Sequence, residues 1–409
     1  MKTAIVIGNG LVGACTAWAL QRAGLRVTIV DPGDDTAGAS HGNAGHLAIE
    51  QTEPLASRSN VLSLHQRLFS RGGPVAFPLR DVSAWVPFGL RLIAATSPRR
   101  FERGRTAMQA LLGNAIPAWQ RLAAQVHAQD LIRTDGHWVT WNSTADAQRS
   151  VAAWQTTYQG PVQVAMANAT ELNALRARFN HLPEAAARFT GTGQVTDLPA
   201  LRRALKHAFV AGGGEVLEGF VQDATDRVVL AGGASLKADV TVVTAGIGAS
   251  RILQSAFGAI PMIAERGYHI EVAMDARDAT PQGLPVVFED RNIILAPFAT
   301  SLRLSGFTEF SQPNSPPDAR KWQTLHRHAI ALGLPMTLNA RQWIGARPTL
   351  PDYLPAMGRH PLVPSLYYAF GHNHLGVTLA ARTAELMASA IQGEASGVDL
   401  APFALERFQ

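Results

Sequence analysis

Gly8, Gly10 and Gly13 stand at the spacing G-x-G-x-x-G, and Asp31 follows 18 residues after Gly13. Each of these has a job in holding a dinucleotide. Gly8 permits a tight turn, Gly10 lets backbone approach a pyrophosphate, and Gly13 lets a helix pack closely on a sheet. A carboxylate at Asp31 is placed to accept both ribose hydroxyls of an adenosine. A lone glycine triplet would say little, so the flanks decide. Thr3 to Ile7 is a short, β-branched apolar run. Leu11 to Ala23 is helix-compatible, with Gly24 to cap it, and Leu25 to Val30 is a second apolar strand that closes on Asp31. Leu11 and Val12 fall where the helix N-terminus offers free N–H groups and a positive dipole end to phosphate. Strand, triplet, helix, strand and acid occur in order, which predicts a βαβ dinucleotide site.

The rest of the chain must present a partner to that site. Asp197, with Pro199 in the first turn, predicts a helix ending at the triple glycine Gly212 to Gly214, followed by a strand from Glu215. Ala238 to Gly246 reads as a buried strand and a small-residue turn. Period-two patterning fills Tyr268 to Phe310, and Asp318 precedes a helix running to about Ile330. Arg133 to Trp141, with Asp135-Gly136 in it, reads as a hairpin. Leu366 to Phe370 is a strand that runs into Gly371 and the final apolar helix, beginning near Val377.

These blocks predict an α/β chain with two interleaved domains. A Rossmann-like, glutathione reductase-like domain takes 1–60, 190–262 and 340–409. An antiparallel-sheet α+β substrate domain takes 61–189 and 263–339. The chain has 409 residues, 47% hydrophobic and 16% charged, which is globular rather than disordered. Its single cysteine, Cys15, excludes a disulfide framework and reads as a small core residue. The net charge of +5 suits an anionic cofactor and a carboxylate substrate. No basic run interleaved with aromatics and no zinc spacing is present, so neither nucleic acid nor a metal is expected. The amino terminus runs straight into a strand, and no stretch is long and apolar enough to span a membrane, so the cytoplasm is expected. Phe88 to Ala95, followed by Pro98-Arg99-Arg100, reads either as a helix on its own core or as an apolar, basic surface for a bilayer.

By itself, one Rossmann half with a small-residue loop beyond it suits NAD or FAD. FAD is favoured by a second helix N-terminus at Gly371 to Thr378, whose positive end suits the edge of a reduced flavin.

Gly8-Asn9-Gly10 with Gly13, Ser40-His41-Gly42-Asn43-Ala44-Gly45, Thr244-Ala245-Gly246, Arg266-Gly267-Tyr268, Ser305-Gly306-Phe307-Thr308-Glu309, Gly345-Ala346-Arg347-Pro348 and Gly371-His372 with Gly376 fall in a familiar order. The chain resembles the D-amino-acid oxidase-like flavoproteins, a group that includes glycine and sarcosine oxidases and bacterial D-amino-acid dehydrogenases. The Asn43-Ala44-Gly45 version looks most like the dehydrogenases.

The resemblance implies FAD, held without a covalent bond. It extends the cofactor-binding set from Gly8, Gly10, Leu11, Val12, Gly13 and Asp31 to Pro32, Ser40, His41, Asn43, Ala44, Gly45, Val221, Ala245, Gly246, Gly371, His374, Leu375, Gly376, Val377 and Thr378. It implies an amino-acid or imino-acid substrate, such as D-proline or a D-hydroxyproline, and a quinone or another electron acceptor. The enzyme alternative is a glycine- or sarcosine-type oxidase using oxygen, and a flavin subunit of a larger complex is a third reading. Gly-x-Arg-Pro places the carboxylate clamp on Arg347, because the planar guanidinium binds a carboxylate through two charge-assisted bonds. Tyr268 is expected to offer a hydroxyl to substrate, with His269 alternating to the opposite, structural face. His372 is expected to shape the polarity of the site.

Overall fold

In a computed structural model, residues 1–34, 38–157, 160–180, 183–274, 283–336, 339–395 and 397–409 are described. The sheet that carries the glycine motif has six strands. Their order is Glu215–Glu218, Arg26–Asp31, Thr3–Ile7, Val240–Val243, Leu366–Phe370 and Ala356–Arg359. The first five are parallel, with Ala4 opposite Val240 and Val27 and Thr241 opposite Leu366. The last strand is antiparallel. Buried Ile5, Val6, Ile7, Ile29, Val30, Val242 and Val243 explain the order, since strands covered on both faces must be apolar throughout. The switch in strand order beside Thr3–Ile7 opens a crevice at the carboxyl ends, where such sheets bind ligands.

The opening motif folds as its residue types dictate. Gly8 takes φ +102° and donates its N–H to the Val30 carbonyl at 2.8 Å. A Cβ at Gly13 would stand 1.9 Å from the Gly8 oxygen, so the helix Leu11–Arg22 can lie there only with glycine. That helix packs against the terminal helix Gly376–Gln392.

A larger, mostly antiparallel sheet lies across the crevice. Its path runs Arg341–Thr349, Ile263–Ala273, Ser301–Ser311, Ile293–Pro297, Val286–Phe288, His137–Trp141, Ala185–Thr190 and Gln163–Met166. The period-two run therefore became the strands expected of it, apart from 275–282, which lie outside the described residues. Asp197 caps the helix Leu198–Ala211 through Ala200 N–H at 2.7 Å, as the sequence predicts, and the helix expected after Asp318 forms as Ala319–Leu332 with Asp318 as its cap. The hairpin expected at 133–141 does not form. Arg133 pairs with Gln194 in a small three-stranded sheet, while His137–Trp141 pairs with Ala185–Thr190 in the large one. Gly136, at φ +86°, lies so close to the Phe189 carbonyl that a Cβ would meet it at 1.9 Å. The turn therefore passes the chain between sheets instead of folding it back.

Candidate active site

Crevice and large sheet enclose a cavity of about 1130 Å³. Ordinary small-molecule pockets run to roughly 300–1,000 Å³, so this one has room for a dinucleotide and more. Gly8, Gly10, Val12, Asp31, Pro32, Val221, Ala245 and Gly246 line one end. Asp31 is fixed there by two donors, Asn9 N–H at 2.8 Å and Gly33 N–H at 3.0 Å. Ser40, Asn43 and Ala44 line the middle, and Gly371, His374, Gly376 and Val377 close the other end beside Arg347. Of the expected cofactor residues, Leu11, Gly13, His41, Gly45, Leu375 and Thr378 stand behind the wall instead. Leu11 is buried and donates its N–H to Ser40 Oγ at 3.3 Å, and the Gly45 carbonyl accepts Val195 N–H at 2.8 Å. Leu375 is core. Thr378 Oγ1 accepts Ala48 N–H at 3.0 Å and donates to the His46 carbonyl, so it ties helix to loop. His41 lies among Arg303, Arg202 and Arg341, and burial together with these charges lowers its pKa.

Arg347 lies on the strand Arg341–Thr349, directly across from Glu265. Its Nη1 is 3.3 Å from Glu265 Oε1 and 3.5 Å from the Phe307 carbonyl, and about a quarter of the side chain is open to the cavity. A Cβ at Gly267 would stand 2.2 Å from Arg347 Nη2, so only glycine leaves the fork in place. Glu265 is buried and in turn held. Thr349 Oγ1 donates to its Oε2 at 3.0 Å, and the Tyr353 hydroxyl bonds to it as well. Three non-glycine residues with positive φ converge here, Phe307 at 68°, Tyr353 at 58° and Asn373 at 44°. Asn373 Nδ2 donates to the Tyr353 carbonyl at 3.0 Å. Backbone strain of this kind persists where surrounding structure over-determines it, and it gathers at active sites.

Tyr268 lines the cavity, yet its hydroxyl is already engaged within the protein. Alternation along Ile263–Ala273 puts Glu265 and Gly267 on the Arg347 side and Tyr268 on the other. Its hydroxyl donates to Glu309 Oε1 at 3.2 Å and accepts Asp318 N–H at 3.1 Å. Burial pushes its pKa up to about 12, so it stays a neutral structural phenol. Facing the other way, His269 donates through Nδ1 to the Gly42 carbonyl at 3.1 Å and stacks on Trp343. Trp343 in turn roofs Gly42, where a Cβ would meet the indole at 2.3 Å. His372 lines the cavity as well, with its ring tied down. Its Nε2 pairs with Thr383 Oγ1 at 3.0 Å inside the terminal helix, and burial pushes it down to about 4. His374, also held at about 4 by burial, pairs with Gln51 and feels both Glu265 and Arg347.

Sequence reading missed Glu265, Tyr353 and Asn373. The signal for Glu265 was available, because alternation groups it with Gly267 in a motif already singled out.

Comparison with known proteins agrees with this geometry. Residues 3–390 match the family model DAO, FAD dependent oxidoreductase. The chain belongs to that family. FAD is its cofactor, and the wall fits it. The turn at Gly8 and Gly10 leaves backbone bare, Asp31 is pre-oriented, and the helix at Leu11 begins without a side-chain cap. Among relatives, a D-amino-acid oxidase of Bradyrhizobium diazoefficiens is 26% identical over 416 residues, covering 98% of both chains. D-amino acid dehydrogenase 2 of Ralstonia nicotianae is 26% identical over 452 residues, covering 98% of this chain and 99% of its own. Glycine oxidase from Geobacillus kaustophilus superposes with TM-score 0.74 at 21% identity, covering 99% of each chain. L-proline dehydrogenase from P. horikoshii superposes with TM-score 0.68 at 15% identity, covering 100% of this chain and 97% of that one.

Among the described residues no helix is long and apolar enough to cross a membrane. The helix Val82–Ala95 buries only Phe88 and Ala95, with Pro87 inside it. Leu79, Val82, Val86, Leu90 and Ile93 form an exposed apolar ridge, and Arg91, Arg99 and Arg100 are exposed beside it.

Proposed function

We propose that this chain is a dehydrogenase of D-amino acids, cyclic ones such as D-proline or a D-hydroxyproline included, and that it oxidises the Cα–N bond to an imine. The observation that carries the reading is Arg347. Its fork is pre-positioned by Glu265 and the Phe307 carbonyl and opens into the same cavity as the cofactor motif. A guanidinium so held binds a carboxylate at the cost of little further ordering. The names of the relatives in Bradyrhizobium and Ralstonia support the D-amino-acid class, and that of the P. horikoshii enzyme suggests the cyclic option.

The cofactor-binding residues are those that line the cavity wall, from Gly8 and Asp31 through Ser40 and Asn43 to Gly376. FAD, bound without a covalent link, supplies the two-electron acceptor. The start of the terminal helix offers it backbone N–H groups and a positive dipole end. Arg347 anchors the substrate carboxylate so that the Cα–H is oriented. Tyr268 and His372, whose polar atoms are already bonded within the protein, act as supports. Electrons pass on to a quinone, and the apolar ridge with its flanking arginines suits the bilayer surface where quinones reside.

Anaerobic mixing of the yellow protein with paired D- and L-amino acids, imino acids included, tests this. Bleaching by the D-forms supports it, and bleaching by L-forms alone removes it. Air separates the second reading, favoured by the name of the Bradyrhizobium relative. Fast reoxidation with peroxide release would make the chain an oxidase. Acid precipitation should leave a colourless pellet, and a yellow one would mean covalent flavin.

A further inference from the structure

His46 and Glu50 stand four residues apart and His137 lies far along the chain, and each offers one donor atom within 4.8 Å of the others. His46 Nε2 and Glu50 Oε1 are 3.2 Å apart. The His46 and His137 rings meet nearly perpendicular, with centroids 4.4 Å apart. His137 Nδ1 is already bonded to Thr192 Oγ1 at 2.9 Å, which leaves Nε2 as the nitrogen it has to give. The far face of His137 is closed by Phe189, stacked at 4.7 Å. Glu50 and His137 are more than nine-tenths buried.

Buried polar atoms are almost always paired. Here His46 Nδ1 and Glu50 Oε2 have no hydrogen-bond partner and are closed to solvent, although His46, Glu50 and His137 all line the wall of the cofactor cavity.

We propose that His46, Glu50 and His137 bind one divalent transition-metal ion of the zinc class, with a solvent molecule as fourth ligand. Two imidazoles and one carboxylate are a zinc donor set, whereas magnesium and calcium take oxygen throughout. Tetrahedral bonds of about 2.0–2.2 Å place donors roughly 3.4 Å apart. The His46–Glu50 pair already stands near that separation, and the His137 donor lies within 4.8 Å of both. Thr192 holds the His137 ring in the way that outer partners orient ligating histidines.

The ion is a staple. His46 and Leu47 pair with Gly193–Val195 in the small sheet and lead out of the cofactor loop, while His137 begins a strand of the large sheet. One ion thus ties the loop that holds the cofactor to the sheet that carries Arg347. This assignment is independent of the substrate reading, and the failure of either leaves the other standing.

The test uses tag-free holoenzyme, stripped with a chelator that leaves FAD in place and titrated with zinc chloride by calorimetry. One zinc per chain, a raised Tm and a zinc-edge anomalous peak at His46, Glu50 and His137 are expected. Thr192→Val should weaken binding about 10–100-fold, and Glu50→Gln and His137→Gln should abolish it at the same FAD content. No stoichiometric zinc in the wild-type holoenzyme overturns the proposal, as does undiminished binding in Glu50→Gln. A bridging water at the cluster in crystals soaked with zinc also overturns it. Should a variant not fold, the position of the wild-type anomalous peak decides.

Discussion

Two of the ionic clusters on the strand Ile263–Ala273 lie on opposite faces, and they have opposite designs. On the cavity face Arg347 has one buried carboxylate partner, one backbone acceptor and an open edge. On the helix face Arg266 and Lys321 share Glu309, Arg266 also donates to the Ser315 and Pro316 carbonyls, and Lys321 reaches Asp318 Oδ2 at 3.2 Å. Glu309 is wholly buried, and Arg266 and Lys321 nearly so. The first cluster keeps capacity for a ligand. The second is saturated and can only hold the sheet to the helix Ala319–Leu332. The same residue types serve binding or architecture according to whether a donor is left over.

That contrast can be broken most forcefully on the saturated side. Lys321→Met removes a partner from a buried charge, so a loss of about 3–5 kcal/mol of stability is expected. Urea unfolding of the variant measures it, with the FAD content and KM of the folded fraction unchanged. An altered KM with intact stability would reverse the two assignments. On the open side, Arg347→Ala should cost about 2–5 kcal/mol in kcat/KM, roughly 30- to 5,000-fold, expressed mainly in KM. Its Tm should stay close to wild type, because the side chain is partly solvated.

Tyr268→Phe sharpens the line between the faces. It strips one donor from Glu309 and the acceptor from Asp318 N–H, a stability cost of about 1–3 kcal/mol. Substrate kinetics should not change. A KM shift without destabilisation would return Tyr268 to the substrate.

The smallest effect concerns acid. Burial holds His372 at about 4 against an ordinary 6.5, and burial with Arg291 and Arg327 does the same for His328. The unfolded chain therefore takes up protons first. Stability should be full above about pH 6.5 and fall as the pH drops toward 4. His372→Asn should flatten part of that slope in a series of Tm measurements, and an unchanged slope would remove His372 as a source.

The opening βαβ unit was legible because every signal in it is local. Three glycines, a β-branched strand on either side and Asp31 specify it within thirty-one residues. Arg347 was legible through its short motif. What the Tyr268 hydroxyl bonds to was not legible, for a physical reason. A two-residue periodicity says that Tyr268 and His269 point oppositely, but what each one bonds to depends on pairing with Arg341–Thr349 and on the irregular register between Arg266 and Tyr268. Neither is a local property. The false hairpin at 133–141 failed likewise, since Gly136 was read as a tight turn without knowledge of the sheet beside it. His46 and Glu50 stand four residues apart but meet His137 only through the fold, and Glu265 gains its role only from the residue opposite.

The central claim is that substrate is captured on the cavity face of Ile263–Ala273 and Arg341–Thr349, by Arg347. Anaerobic stopped-flow reduction of the flavin tests it most directly, with a D-amino acid that bleaches the wild type, applied to wild type, Arg347→Ala and Tyr268→Phe. The account predicts a half-saturating concentration raised by at least about 30-fold in Arg347→Ala, and one equal to wild type in Tyr268→Phe. Saturation at the same concentration in Arg347→Ala would contradict it.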